Sequence, residues 1–170
     1  MDEKQVITSR QNPLIKSICA LSEKKRRVES GLFRIDGIKL LGEAISSGIR
    51  IKYVVLREDA REDIYELARA SEGSVITVSE GVFEKLSEEK SPEGVLTVAH
   101  TLSQESSCGL PAEKERILIA ESLRDPGNLG TVMRSCYALG IDRLVLTDDC
   151  ADAYNPRTVR AVLTWKRFGL

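Results

Sequence analysis

The residues best suited to chemistry lie near the C-terminus, between Asp125 and Arg134. An apolar run from Ile117 to Ala120 precedes them and is typical of a strand buried on both faces. Ligands of open α/β sheets bind beyond the carboxyl ends of such strands. Asn128 offers a hydrogen-bond donor and an acceptor and tolerates a left-handed backbone, while Arg134 carries a planar cation suited to a phosphate or ribose oxygen. The pattern predicts an anion- or sugar-binding loop ahead of a helix.

Two glycines accompany these side chains. Gly127 and Gly130 permit backbone geometries and close approaches that a Cβ would block, and Arg134, four residues after Gly130, is expected on the same helix face. Neither the dinucleotide fingerprint nor the P-loop lysine signature is present. Taken alone, a tight turn followed by a surface arginine explains the pattern equally well.

The elements that must position this loop form two groups. In the first, strands are predicted at residues 32–35, 52–57, 74–78 and 94–99, and helices between them at residues 39–47, 62–70 and 79–86. This alternation predicts parallel β-α-β units behind a leading helix that begins at Asn12-Pro13. The second group is predicted to have strands at 117–120 and 143–147, a helix at 129–139, and a helix that opens at Tyr154-Asn155-Pro156. We therefore predict domains at 1–99 and 116–170, joined by a polar linker at 100–115.

The charge is unevenly distributed along the chain. Residues 1–61 carry 13 Lys/Arg and 8 Asp/Glu, residues 62–115 carry 4 and 12, and residues 116–170 carry 8 and 6. A basic first third can form a face for phosphates, although a mixed solvated surface explains the same counts. The cluster from Lys24 to Arg27 is expected in the last turn of the leading helix. There it either stabilises the helix dipole or contacts RNA.

Composition excludes several classes of protein. The four cysteines, Cys19, Cys108, Cys136 and Cys150, are scattered, and with the single His100 they suggest no metal site. No apolar run approaches the roughly 20 residues that span a bilayer, and Met1 to Gln5 lacks a signal-peptide core. We expect a cytoplasmic protein with reduced thiols and no membrane partner.

Several separated motifs resemble one known family. The stretch from Asp125 to Gly140 resembles motif 1 of the SpoU/TrmH family, which comprises S-adenosylmethionine-dependent RNA 2′-O-ribose methyltransferases. The resemblance continues through Tyr154-Asn155-Pro156-Arg157 to Arg160-Ala161. The segments that resemble the family's substrate-binding module are Ile7-Thr8-Ser9-Arg10 with Asn12-Pro13, Phe33 with Gly37, and Ser91-Pro92-Glu93-Gly94-Val95.

The resemblance implies an α/β fold in two parts. An N-terminal ribosomal-protein-like α/β/α RNA-binding domain would precede an incomplete α/β-knot (SPOUT) methyltransferase domain. The implied reaction moves a methyl group from S-adenosylmethionine to a ribose 2′-hydroxyl of rRNA or tRNA, with Arg134 catalytic and Asn128 shaping the site. A guanidinium with a pKa above ~12 is a poor general base, so a phosphate clamp or a charge that acidifies the hydroxyl is at least as consistent with the chemistry. The candidates for RNA contact are Arg10, Lys16, Lys25, Arg26, Arg34, Arg124 and Arg160.

The last residues depart from the family pattern. After Arg160 the family usually continues with Ala-Ser-x-Gly and with motifs 2 and 3, which form the knot, hold the methyl donor and make the homodimer. Residues 162–170 do not follow that pattern. We therefore expect the donor pocket and the dimer interface to be missing, the chain to be inactive alone, and the second domain to be partly disordered or aggregation-prone.

Two other functions stay open at this point. In one, the chain is a non-catalytic RNA-binding protein whose residues 1–99 bind structured RNA. In the other, it binds a small phosphorylated ligand between Asn128 and Arg134. Steep salt dependence would favour RNA, because contacts to the phosphate backbone weaken as salt rises.

Overall fold

The structure, a computed structural model, describes residues 5–87, 92–102 and 114–161. The chain divides into two compact units, residues 1–100 and residues 101–170. Three parts of the sequence analysis lie outside the described residues: Ser91, Cys108 and residues 162–170. The expectations for the C-terminal tail rest on the last of these. The predicted domain limits and linker stay predictions, and the last strand of the first unit extends to His100.

The first unit is built on a mixed sheet of five strands. These are β1 (Val6–Ile7), β2 (Leu32–Asp36), β3 (Ile51–Arg57), β4 (Ser74–Val78) and β5 (Val95–His100). Their spatial order is β1-β4-β3-β5-β2. The predicted parallel pairing is confirmed for β3 with β4 but is wrong for β5, which runs antiparallel to both β3 and β2. Residues 95–99 are all buried, so the local pattern reports a central strand and carries no information about its direction.

Five helices cover the two faces of this sheet: α1 (Pro13–Ala20), α2 (Lys24–Ser30), α3 (Ile38–Ser46), α4 (Glu62–Arg69) and α5 (Glu80–Leu86). The core on one face joins α1 and α5 to the sheet, with Ile15, Ile18, Phe83 and Leu96 all at most 2% exposed. On the opposite face Tyr65 of α4 shares a hydrogen bond with Thr77 of β4. The first unit is thus the α/β/α arrangement expected from the sequence.

The leading helix begins as predicted and ends earlier. The Asn12 side chain accepts a hydrogen bond from the Leu14 amide at 2.8 Å, with Pro13 at the first helical position. The basic cluster does not form the last turn of α1, so that prediction is wrong. It opens α2 instead, and only 3% of Arg27 is exposed, its guanidinium donating to the carbonyls of Leu21 and Ser22 at 2.7 Å each. Arg27 therefore satisfies carbonyls that the end of α1 leaves without helical partners.

The described part of the second unit contains two strands and two helices: β6 (Ile117–Ala120), α6 (Pro126–Leu139), β7 (Arg143–Leu146) and α7 (Pro156–Ala161). β6 and β7 are parallel, with Ile119 opposite Val145. These two side chains are 70% and 40% exposed, so the expected burial of β6 on both faces is wrong. Across the residues that the structure describes, no helix combines the length and apolar character needed to cross a membrane.

Candidate active site

The turn between β6 and α6, residues 121–125, is tied to the end of β7. Ser122 adopts a positive φ of 54°, which is uncommon for a residue with a Cβ. Its amide donates to the Thr147 hydroxyl at 3.1 Å, and its own hydroxyl donates to Asp149. These bonds hold the strained residue in place and fix the start of α6 relative to the carboxyl ends of both strands.

Asp149 is the electrostatic centre of this turn. The Thr147 hydroxyl donates to Oδ1 of Asp149 at 2.6 Å, and the Arg124 guanidinium lies 3.3 Å from Oδ2, the oxygen that Ser122 also binds. The hydroxyls of Ser122 and Thr147, with Arg124, lower the pKa of Asp149 to about 2. Arg124, a predicted RNA contact, therefore already has an acidic partner, although its side chain is 77% exposed.

Cys150 also binds the turn between β6 and α6. Its thiol lies 3.4 Å from the Thr147 hydroxyl, donates to the Ala120 carbonyl at 3.3 Å, and accepts from the Leu123 amide at 3.3 Å. The hydrogen bond with Thr147 is the main cause of a lowered pKa for Cys150. Sequence reasoning missed Thr147, Asp149 and Cys150. The available signal was the acidic turn at Asp148-Asp149 that follows a strand, because polar side chains at that end of a sheet meet its ligand edge.

Asn128 lies inside α6, not in the loop. The Asp125 side chain caps the helix by accepting from the Asn128 amide at 2.7 Å, and Pro126 occupies the first helical position. The prediction of a loop position for Asn128 is therefore wrong. Its amide side chain is exposed in the first turn, beside Gly127, whose added Cβ would meet only the Asp125 carboxylate at 3.2 Å.

Gly130 and Arg134, four residues apart on α6, differ in burial. Gly130 is buried where α6 crosses α7, and a Cβ there would lie 2.9 Å from the Thr158 carbonyl oxygen and collide with the Ala161 methyl. Arg134 is exposed, and within the described residues its guanidinium has neither an acid nor a carbonyl partner. Gly130 therefore serves helix packing, while Asn128, Thr131 and Arg134 are exposed on the same helix.

Helix α7 adds two arginines next to α6. The Asn155 side chain accepts from the Arg157 amide at 2.9 Å and so caps the helix start. Arg157 and Arg160, three residues apart, are both exposed. Since α6 and α7 meet at Gly130, the structure brings Asn128, Arg134 and Arg160 onto neighbouring helices, as a shared site requires.

The predicted RNA residues of the first unit have different environments. Lys16 is exposed on α1, and Lys25 and Arg26 on α2 both pair with Glu29, at 3.9 and 3.0 Å. Lys16 and Arg26 line a groove of about 410 Å³ between α1 and α2, which we call the α1–α2 groove. Its other lining residues are Ser17, Ala20, Leu21, Glu29 and Ser30.

Two further candidates have structural partners. Arg10 donates to the Gly81 carbonyl at 2.8 Å and approaches Glu84 at 3.7 Å, although its side chain is 57% exposed. Arg34 is only 2% exposed and bonds the Leu86 carbonyl and Asp36, so its inclusion among the RNA contacts was wrong. A cation at that depth would have to leave two partners to meet a phosphate.

Comparison with known proteins shows which families this chain resembles. Residues 12–97 match the MRM3-like substrate binding domain, and residues 115–166 match the SpoU rRNA Methylase family. The 23S rRNA (guanosine(2553)-2′-O)-methyltransferase of Bacillus subtilis (strain 168) is 30% identical over 161 residues, covering 91% of this chain and 59% of that protein. An uncharacterized tRNA/rRNA methyltransferase of Synechocystis is 31% identical over 159 residues, covering 91% of this chain and 57% of its own length.

A solved structure gives the same relationship in three dimensions. The AdoMet-bound rRNA methyltransferase of Sinorhizobium meliloti superposes with a TM-score of 0.78 at 32% identity, covering 92% of this chain and 59% of that one. The chain thus spans somewhat more than half the length of these three relatives.

Proposed function

We propose, from the premise that this chain belongs to the SpoU rRNA methylase family, that the whole protein methylates a ribose 2′-hydroxyl of RNA with S-adenosylmethionine as the methyl donor. Three comparisons support the proposal, since the matched proteins are named as rRNA or tRNA methyltransferases and one was solved with AdoMet bound. Ribosomal or transfer RNA in the cytoplasm is the proposed substrate. The 2′-hydroxyl is absent from DNA, so the activity should be selective for RNA.

The observation that carries the proposal is the exposed, partner-free guanidinium of Arg134 among the described residues. It lies on the outer face of α6, which begins just beyond the carboxyl end of β6. A guanidinium stays charged throughout the physiological pH range, so Arg134 acts as a fixed positive charge and not as a base. It orients the nucleotide by gripping a phosphate or ribose oxygen, and it favours the developing alkoxide of the 2′-hydroxyl.

Asn128 is the second candidate on α6, exposed on the first turn of the same helix. Its side chain can donate to and accept from the ribose, and Gly127 beside it leaves room for a close approach. The exposed face of α6 does not fit the methyl donor, because a cofactor of that size binds in a concave, largely apolar pocket. We therefore assign Asn128 and Arg134 to the ribose side of the site alone.

The α1–α2 groove supplies the proposed RNA surface of the first unit through Lys16 and Arg26, and Lys25 of α2 is a further proposed contact outside the groove lining. The ion pairs of Lys25 and Arg26 with Glu29 are exposed, and such pairs contribute only about 0–1 kcal/mol. A phosphate can therefore displace Glu29 at little cost. Arg10, Arg124 and Arg160 are proposed as peripheral contacts, since Arg10 and Arg124 already hold an acid at the surface.

Methyl transfer tests the proposal directly. Because the relatives are longer, turnover is measured with radiolabelled S-adenosylmethionine on a hybrid that continues this chain with the corresponding C-terminal part of the Bacillus subtilis relative. We expect methylation of ribosomal or transfer RNA, a loss of about 10²–10³ in kcat for Arg134→Ala, and only partial rescue by Arg134→Lys, which keeps the charge without the fork. Arg61→Ala, an exposed arginine paired with Asp63, is the matched control.

Three outcomes would contradict parts of the proposal. Unchanged turnover in Arg134→Ala would remove that residue from the site. RNA binding by this chain, with no methylation by a folded hybrid, would favour a non-catalytic RNA-binding protein. Salt-insensitive binding would favour a small phosphorylated ligand at Asn128 to Arg134, because phosphate-backbone contacts release counterions.

A further inference from the structure

The arginines of the first unit are almost all satisfied within the protein. The unit has eight, all of them described, and seven bind an acid or a backbone carbonyl: Arg10, Arg26, Arg27, Arg34, Arg57, Arg61 and Arg69. Within the part of the chain that the structure describes, Arg50 has no such partner and is exposed. The exception cannot be attributed to a shortage of acids, since residues 62–115 carry 12 Asp/Glu against 4 Lys/Arg.

Arg50 lies beside two other cationic or potentially cationic residues at the start of β3. Its carbonyl accepts from the His100 amide at 2.9 Å, which places the end of β5 against it. The pairing of β3 with β5 shifts register between Ile51 and Tyr53, and Lys52 sits in this irregularity. Irregularities of this kind redirect side chains. Lys52 is exposed, with its ammonium 5.5 Å from the centre of the Tyr53 ring.

We call Arg50, Lys52 and His100 the basic edge. The positive charges of Arg50 and Lys52 contribute, after burial, to a lowered pKa of His100, so all three groups are within electrostatic range of one another. Glu72 is an acid in a neighbouring segment of the chain, next to Gly73, whose added Cβ would touch Ile51. Glu72 forms no ion pair with Arg50 or Lys52 among the described residues. Cations that repel one another without a counter-charge favour an external anion.

The basic edge lies at the same end of the sheet as the α1–α2 groove. α2 ends at Gly31, the next residue opens β2, and Leu32 is the register partner of His100. Only β5 separates β2 from β3, so Arg50 lies about 10 Å from the start of β2, two strand spacings away. A nucleic-acid backbone in the groove can therefore continue across this end of the sheet.

We propose that the basic edge is a second phosphate-binding site, which holds the backbone of the same RNA beyond the α1–α2 groove. The inference rests on the proposed function, because it requires RNA as the partner. Arg50 and Lys52 provide two permanent charges for the phosphates, and the half-buried His100 supplies a ring N–H that can donate to one of them.

The test is RNA binding by the full chain, measured by fluorescence anisotropy with labelled total tRNA and labelled ribosomal RNA fragments between about 50 and 200 mM KCl. The variant is Arg50→Ala/Lys52→Ala. Arg50→Gln/Lys52→Gln keeps the aliphatic stems and guards against a folding defect. The control is Arg61→Ala/Arg69→Ala, which removes two charges from ion pairs on α4 of the same unit.

We expect both basic-edge variants to bind roughly tenfold more weakly at the lower salt concentrations and to lower the slope of log K against log salt by about 1.5 to 2, with the control close to wild type. Equal slopes and affinities for the variants and the control would overturn the basic edge as a phosphate site while leaving RNA binding intact. If the wild-type chain binds neither the tRNA nor the ribosomal RNA fragments, both proposals are refuted: RNA binding by this chain and the basic edge as a phosphate site. Equal binding of a DNA with the sequence of a ribosomal RNA fragment would support the phosphate contact and contradict selectivity for RNA.

Discussion

Replacing Gly130 by alanine should force α6 and α7 apart. The new Cβ would lie 2.9 Å from the Thr158 carbonyl oxygen and even closer to the Ala161 methyl, where ordinary contacts are 3.4–4 Å. Neither neighbour can rotate away, because one is backbone and the other is a methyl fixed to it. The helices must separate by roughly an ångström, and overpacking of this kind costs about 1–3 kcal/mol.

Gly127→Ala is the matched control on the same helix. Gly127 is exposed, and its Cβ would meet only the Asp125 carboxylate at 3.2 Å. Both substitutions remove a helical glycine and gain up to about 1 kcal/mol in helix propensity. The difference between the two variants therefore isolates the collision at α7.

Amide hydrogen exchange by mass spectrometry measures that difference in the full chain. In Gly130→Ala, peptides covering α6 and α7 should exchange about fivefold to 150-fold faster than in Gly127→Ala, which corresponds to 1–3 kcal/mol. Peptides from residues 5–87 serve as an internal reference and should not change. Equal protection in both variants would refute the reasoning, because it would mean that α7 adapts to a Cβ without cost.

Three further predictions concern single interactions. The pKa of Asp149 falls from 3.8 in the unfolded chain to about 2 in the folded chain. Its carboxylate should therefore stabilise the fold fully above about pH 4 and lose this contribution as the pH falls toward 2. Asp149→Asn should remove this part of the acid sensitivity, as measured by urea denaturation. Arg27→Met should destabilise the chain by about 2–4 kcal/mol through two lost carbonyl bonds, whereas Arg26→Met should cost under 1 kcal/mol, as thermal unfolding can compare. Ile119→Thr with Val145→Thr should reduce self-association in light scattering without lowering stability, because these apolar side chains are 70% and 40% exposed. Unchanged association would mean that other residues form the associating surface.

Local patterns in the sequence predicted where most elements lie but only part of how the strands pair. The β-branched runs and the Asn12-Pro13 cap gave strands and a helix start close to those observed. The direction of β5 depends on contacts with β2 and β3, which are distant in sequence, so no local pattern could supply it. The start of α6 could have been predicted from the sequence, since Asp125-Pro126 repeats the N-cap and proline signature of Asn12-Pro13.

Burial of arginines was the main error in the RNA surface predicted for the first unit. Arg27 and Arg34 look like surface cations in the sequence, yet both are at most 3% exposed and bind backbone carbonyls. Arg34 and Asp36 stand two apart on β2 and so share a face, which was the only sequence signal for this pairing. The tie between Ser122, Thr147 and Asp149 was missed because its members come from two segments that meet only in the fold.

Partners identify an RNA surface better than a count of basic residues does. Arg27 and Arg34 cannot be released without leaving buried carbonyls or an acid behind, so their charges are unavailable to a ligand. Arg26 and Arg124 hold exposed acids that a phosphate can replace at little cost. Arg50 and Arg134 hold neither within the described residues, so binding RNA breaks no internal contact there. Arg50 and Arg134 are thus positions where substitution should reduce RNA binding or turnover while changing stability little.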